Sequence, residues 1–308
     1  LNLKVLQISG KPELARVYVA SLRNDPASMV EFVDACDPDL GGRNKKWVIV
    51  VSSQLGCPVN CLMCDAGGSF QGNLSATEML AQVKRVIEDN FIDPMDCTKF
   101  KIQFARMGEP ALNPQVITAI RKISELYPNA IPCLATIGPA GASRWFSELL
   151  IVRDLFADFQ MQFSINTTDQ PLREAIMPYP KLSFEDLSEY GRRFYRPGQR
   201  KVVLNFAQQP QWPLDAEVLA KSFAPEYFIV KLTPVNPTYT GEQNGLEAGR
   251  RREQVLEAME HKAQDLESRG YLVIRSVGNL EENEIGSNCG QMVRKYKADI
   301  PEYEKAPA

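Results

Sequence analysis

From Lys46 onward the chain alternates between two kinds of segment. Six apolar, strand-like runs (WVIVVSS, KFKIQFARM, IPCLATIG, FQMQFSIN, KVVLNFA and YFIVKLTPVN) are separated by helical patterns at Ala76–Asp89, Pro114–Leu126, Ala142–Asp154, Ser183–Tyr195 and Leu214–Ser222. Such alternation predicts parallel β/α units, because two parallel strands need a helix-length crossover between them. Six units suit an α/β fold of the partial (β/α)6 barrel type better than a closed eight-fold barrel. Ahead of them Leu3–Ser9, Ala15–Ser21 and Ser28–Ala35 read as strands joined by turn residues, so residues 1–45 are expected to form a small N-terminal β extension. The barrel region, 46–296, ends with a long charged helix, Ala248–Ser268, a last strand, YLVIRSV, and a loop; KADIPEYEKAPA, 297–308, reads as a tail.

Composition narrows the function classes. At 308 residues and 44% hydrophobic content the chain can bury one large core or two modest ones. It carries 35 basic and 38 acidic residues, a net charge of −3, so it lacks the basic excess of a dedicated nucleic-acid binder. The opening LNLKVLQISGKPELARVY is not an apolar leader, and no stretch reaches the ~18 apolar residues of a membrane span. A soluble, cytoplasmic protein with no membrane partner is the expectation.

Against that background SSQLGCPVNCLMCDAGG stands out, placing Cys57, Cys61 and Cys64 within one short loop after the first barrel strand. Clustered thiols in a reducing compartment usually hold a metal. Structural zinc wants four ligands. The single histidine, His261, sits in the charged helical pattern LEAMEHKAQDLES, and neither Cys97 nor Cys133 brings a second CxxC. A three-thiolate set with one open corner suits a [4Fe–4S] cluster instead.

In parallel barrels the chemistry sits at the C-terminal ends of the strands. Here the first strand runs into the cysteines, the second into RMGEPALN, the third into ATIGPAG, the fourth into SINTTDQPLREAIMP and the sixth into TPVNPTYTGE. The Cys-x3-Cys-x2-Cys spacing resembles the signature of the radical SAM superfamily. The stretches FARMGEPALN, LATIGP, FSINTTDQPLREAIMP, KLTPVNP and EENEIGSNCGQM sharpen that to a resemblance, from about Val30 to Gln291, to the RlmN/Cfr-type methylases of ribosomal RNA adenine. The resemblance implies that S-adenosylmethionine binds the open iron and is cleaved to a 5′-deoxyadenosyl radical. It implies that Gly108, Glu109 and Pro110 receive the methionine amino group. Thr136, Ser164 and Asn236 would contact the carboxylate, ribose and adenine. Met63 replaces the usual aromatic residue beside the adenine. An electron donor such as flavodoxin or ferredoxin is implied as well. Cys289 matches the methyl-carrying cysteine, which accepts a methyl group and passes it on as a carbon radical; on its own residues it is a small hydrophobe near a C-terminus.

Departures from the family pattern bear on the substrate. The position of the family's resolving cysteine, seven residues before Cys57, is Val50; Asp37 matches an acidic family residue, and Cys36 beside it is a candidate substitute thiol, although surface exposure is the plainer reading of both. The family's histidine in the fourth loop is Asn166. The family's N-terminal helical RNA-binding domain has no counterpart in the strand-like residues before Cys57, and GNLEENE stands where the family is basic. The stretch GRRFYRPGQRK, Gly191–Lys201, is the best remaining basic candidate and reads more simply as a solvated helix end. Asp37, Glu109, Glu281, Glu282 and Glu284 are expected to give the barrel an acidic mouth. The leading expectation is therefore a radical SAM enzyme acting on a small molecule, either methylating through Cys289 or using the deoxyadenosyl radical directly. An RNA adenine methylase with a relocated base and a structural metal-binding module are the alternatives.

Overall fold

The computed structural model describes residues 3–246, 252–277, 281, 285–286 and 291–299. Ten strands form one sheet in the order β1 (Lys4–Lys11), β2 (Ala15–Leu22), β3 (Asp25–Cys36), β4 (Trp47–Val51), β7 (Phe100–Phe104), β8 (Ile131–Thr136), β9 (Gln160–Ser164), β10 (Val202–Gln208), β11 (Phe228–Pro234) and β12 (Val273–Arg275). From β4 to β12 every neighbouring pair is parallel, whereas β1 to β4 pair antiparallel. The sheet stays open, with β1 and β12 at its edges. A two-residue pair, β5 (Gln54–Leu55) with β6 (Gly72–Asn73), closes the base of the cysteine loop.

Helices α1 (Ala76–Asn90), α2 (Gln115–Leu126), α3 (Ser143–Val152), α4 (Gln170–Ile176), α5 (Phe184–Phe194), α6 (Ala216–Ser222), α7 (Tyr239–Gln243) and α8 (Arg252–Ser268) lie in the crossovers, and α9 (Gln291–Asp299) follows β12. Sequence sets where they start. Ser75 and Glu78 form a reciprocal capping box on α1, and Ser183 with Asp186 does the same on α5. Each cap contributes about 1 kcal/mol by satisfying amides that the first turn leaves without partners. Helix α9 runs on to Asp299, so residues 297–299 are helical where a tail was expected from 297.

Strand side chains alternate between faces with a period of two. On one face Trp47, Ile49, Phe100, Ile102, Phe104, Met161, Phe163, Leu204, Phe206, Val230 and Leu232 are buried in a core that the helices cover. The other face is polar: Lys101, Gln103, Gln162, Asn205, Lys231 and Thr233 point into open volume rather than into packed side chains. Apolar burial on the first face drives folding, and the second is left available for binding.

The N-terminal strands extend this sheet beyond β4. They are locked to it by Asp34, fully buried, which accepts from Arg16 at 2.7 Å, Arg43 at 2.8 Å, Trp47 Nε1 at 2.8 Å and Asn90 at 3.0 Å. Burial pushes its carboxyl up, but the Arg43 and Arg16 guanidiniums and Asn90 outweigh that and hold it below the ordinary value.

Candidate functional site

The cysteine loop leaves the C-terminal end of β4 and folds back on itself. Cys57 bridges Gly67, Cys64 N donates to Cys61 O at 3.1 Å, and Gly67 N donates to Cys64 O at 3.3 Å. The reversal needs small residues. A Cβ on Gly67 would meet Asn60 Oδ1 at 2.6 Å, and one on Gly56, at φ +73°, would lie 2.2 Å from Ser69 O. From outside, the loop after β11 braces it: Thr238 Oγ1 donates to Met63 O at 2.8 Å, and Tyr239 and Thr240 amides donate to the buried Asp65 carboxylate. All three cysteines are half-buried.

The loop after β7 is fastened to the same place. Met107 O accepts from the amides of Ser53 and Gln54, and Glu109 N donates to Gln54 Oε1 at 2.8 Å. Gly108 adopts φ +101° and approaches so closely that a Cβ would stand 2.8 Å from Gln54 N. The Glu109 carboxylate, fully enclosed, accepts from Thr136 Oγ1 at 2.5 Å, Ile137 N at 2.9 Å and Ala111 N at 3.0 Å. Burial pushes its carboxyl up to about 7 against the pull of those three donors.

Cys61, Met63 and Cys64 open onto a cavity of about 510 Å3, whose opposite wall carries Ser164, Asn166, Asn205, Thr233 and Asn236. Of the residues singled out by sequence, Cys61, Cys64, Met63, Ser164 and Asn236 meet there. Glu109, Pro110 and Thr136 form a buried cluster beside it, with the half-buried Gly108, at the ends of β7 and β8. Val50 is part of the cavity wall, so an aliphatic side chain stands at the resolving position.

Asp37 is not brought to the site. Cys36 pairs with Trp47 at the start of β4, whereas the cysteine loop departs from its end after Val51. Four strand residues separate the two levels, about 13 Å. Asp37 there pairs with Lys46 at 3.1 Å, and Cys36 Sγ contacts Glu13 O at 3.1 Å, so neither can relay a proton at the cavity. Of the residues expected to give an acidic mouth, Asp37, Glu109 and Glu281 do not line the cavity. No Asp or Glu is among the described residues lining the cavity, Glu109 is enclosed, and Glu281 pairs with Lys11 at 3.1 Å. Glu282, Glu284 and Cys289 lie outside the described residues. The basic stretch Gly191–Lys201 precedes β10 and so sits at the far end of the strands, where Arg196 binds Asp154 and Lys201 binds Pro225 O.

Two residues that sequence reading missed organise the cavity's other flank. Glu31 in β3 and Arg106 after β7, both buried, pair at 2.5 Å. Arg106 also donates to Gly286 O at 3.0 Å, and Glu31 accepts from Val293 N at 2.8 Å in the first turn of α9. Arg294 reaches Asp65 of the cysteine loop at 3.1 Å. The described residues on either side of Cys289 are thereby tied to the end of the sheet that carries Cys57, Cys61 and Cys64. A charge inside a strand such as SMVEFVDAC ordinarily reads as solvent-facing, which is why Glu31 gave no signal.

The donor set fits an iron–sulfur cluster. Three half-buried thiols on one loop, two of them opening onto the cavity, match a three-thiolate set in which each sulfur would take its own iron.

No family model matches the chain. Over 259 residues it is 30% identical to the probable dual-specificity RNA methyltransferase RlmN of Synechococcus sp. strain RCC307, an alignment spanning 80% of this chain and 69% of that one. The dual-specificity RNA methyltransferase RlmN of Wolinella succinogenes is 30% identical over 258 residues, spanning 80% and 70%. Among solved structures, a radical SAM methyltransferase from Sphaerobacter thermophilus superposes with a TM-score of 0.71 at 20% identity, over 94% of this chain and 80% of that one. Streptococcus suis SuiB superposes with a TM-score of 0.53 at 12% identity, over 77% and 50%. Both share the fold of this chain. No described helix is long and apolar enough to cross a membrane.

Proposed function

The chain belongs to the RlmN-type radical SAM methyltransferase family, and from that premise we propose that it carries a methyl-derived carbon through Cys289 to a small molecule held in the cavity. Enzymes of this family work with a [4Fe–4S] cluster and S-adenosylmethionine. When bound, that pair supplies one-electron chemistry and a methyl group, which side chains cannot provide. Cys57, Cys61 and Cys64 would hold the cluster. Met63, Ser164 and Asn236 would line the cosubstrate's nucleoside portion, and Gly108, Glu109, Pro110 and Thr136 would face its methionine end. Glu109, enclosed beside that end, would hold Thr136 and the Ile137 and Ala111 amides in place there.

The observation that carries this reading is the double anchorage of the Cys289 segment. Arg106 fastens Gly286 before it and Glu31 fastens Val293 after it, both beside the cavity that Cys61 and Cys64 line. A small substrate is supported by the cavity's position on the inner face of the sheet.

The test is anaerobic turnover with methyl-labelled S-adenosylmethionine. The peptide containing Cys289 should gain a methyl mass, and label should pass to a small-molecule fraction rather than to deproteinised RNA. Unmodified thiol at Cys289 in enzyme that is turning over would overturn the carrier role. A second reading, RNA adenine as substrate, is favoured by the absence of carboxylates from the described cavity lining, which removes a source of repulsion for phosphate. Label in adenine above a Cys57→Ala background would establish it in place of the first.

A further inference from the structure

The inner face of the sheet continues below the site just described. A second cavity, of about 210 Å3, is lined by Lys46, Lys101, Cys133, Arg200 and Lys231, and it shares Gln103, Ala135, Gln162 and Lys231 with the cavity above. Lys231 therefore stands on the floor between them.

Its electrostatic setting is one-sided. Neither cavity has an Asp or Glu among its described lining residues. Of the four cations, Lys46 is matched by Asp37 at 3.1 Å. Lys101 donates to the neutral Gln160 at 3.0 Å. Burial first, then the Arg200 charge, lowers the pKa of Lys231; for Lys101 burial dominates, with Arg200, Lys99 and Lys46 adding to it. Cys133 beside them is no counter-ion, because burial pushes its thiol up to about 11 even with Lys101 and Arg200 nearby. A second acid, Asp158 just before β9, acts on Cys133 and works against its thiolate. Several partly desolvated cations around open volume, with amide side chains between them, make a receptor for an anion.

We propose that Lys231, with Lys101, Gln103 and Gln162, forms a subsite for a carboxylate or phosphate group at the distal end of the substrate. Lys231 lies three residues before Pro234 at the end of β11, about 10 Å below the level of the cysteine loop. The substrate is thus a small molecule that places an anionic group about that distance from the carbon that reacts. This inference rests on the proposed reaction in the cavity above, but its test does not depend on that reaction.

The experiment is calorimetric titration of the reconstituted chain with inorganic phosphate, malonate and, as a neutral comparison, malonamide. S-adenosylmethionine affinity and iron content are measured on the same samples. Phosphate or malonate should bind and malonamide should not. Lys231→Gln should weaken the anion at least tenfold while leaving iron content and S-adenosylmethionine affinity unchanged, and Lys101→Gln should weaken it by a smaller factor. Lys297→Gln, on the exposed side of α9, should change nothing. Unaltered anion affinity in Lys231→Gln, or no anion binding to the unsubstituted chain, overturns the proposal. An equal loss of S-adenosylmethionine affinity would assign the anion to the cosubstrate and also overturn it. Deproteinised RNA displacing phosphate at equal phosphate concentration would shift the subsite to nucleic acid. Failure of methyl transfer with intact anion binding would count against the reaction alone.

Discussion

The carboxylate of Glu31 and the guanidinium of Arg106 meet at 2.5 Å in the protein interior, and each extends a second contact to the polypeptide beyond β12. The pair joins β3 of the antiparallel part and the end of β7 in the parallel part to Gly286 and Val293, on either side of Cys289. Two buried charges are costly to desolvate, and together they offset most of that cost, so losing one partner is far worse than losing both.

The first prediction follows from that asymmetry. Arg106→Met or Glu31→Leu alone should lower stability by about 3–5 kcal/mol, and the double substitution should recover a large part of it. Urea denaturation of the three variants decides it. Additive losses would mean that the two residues act separately.

A second prediction concerns Gly108. At φ +101°, with Gln54 N 2.8 Å from the site of a Cβ, Gly108→Ala meets both strain and a backbone collision. Gly198, at φ +83°, has nothing within 4 Å of its Cβ position. Gly198→Ala should therefore cost only the left-handed penalty, about 1–2 kcal/mol, and leave S-adenosylmethionine binding intact. Gly108→Ala should cost more and weaken that binding at least tenfold. Equal behaviour of the two would remove the close approach from the account.

The third prediction is a pH dependence. Glu109 is an acid whose folded pKa is raised, from 4.5 to about 7. Between those values the folded state holds a proton that the unfolded state has released, so stability falls as pH rises through the window. The full change is about 3 kcal/mol at most. Glu109→Gln cannot ionise, and its stability should lack that slope between pH 4.5 and 7. A difference between wild type and variant that stays flat across the window would contradict the burial argument.

Much of the fold was legible because it rests on periodicity. The six apolar runs became β4 and β7 to β11, and the capping pairs Ser75–Glu78 and Ser183–Asp186 start helices where the pattern placed them. The cysteine spacing was legible because a single loop supplies all three thiols. Asp37 was misplaced because a family position says nothing about which end of a strand a residue occupies, and the β3–β4 register puts it at the wrong one. Lys101 and Lys231 were invisible as a pair. Each is one charge in an apolar run, and only the parallel alignment of β7 through β11 turns both toward the same volume.

The central claim is that the loop of Cys57, Cys61 and Cys64 holds a cluster on which the rest of the site depends. It is tested most directly by anaerobic reconstitution, with iron, zinc and acid-labile sulfide measured alongside reductive cleavage of S-adenosylmethionine. The account predicts about four irons and about four sulfides per chain, with formation of 5′-deoxyadenosine and methionine, and loss of both cluster and cleavage in Cys57→Ala, Cys61→Ala and Cys64→Ala. One zinc per chain with no labile sulfide, or a Cys61→Ala variant that still cleaves the cosubstrate, would contradict it.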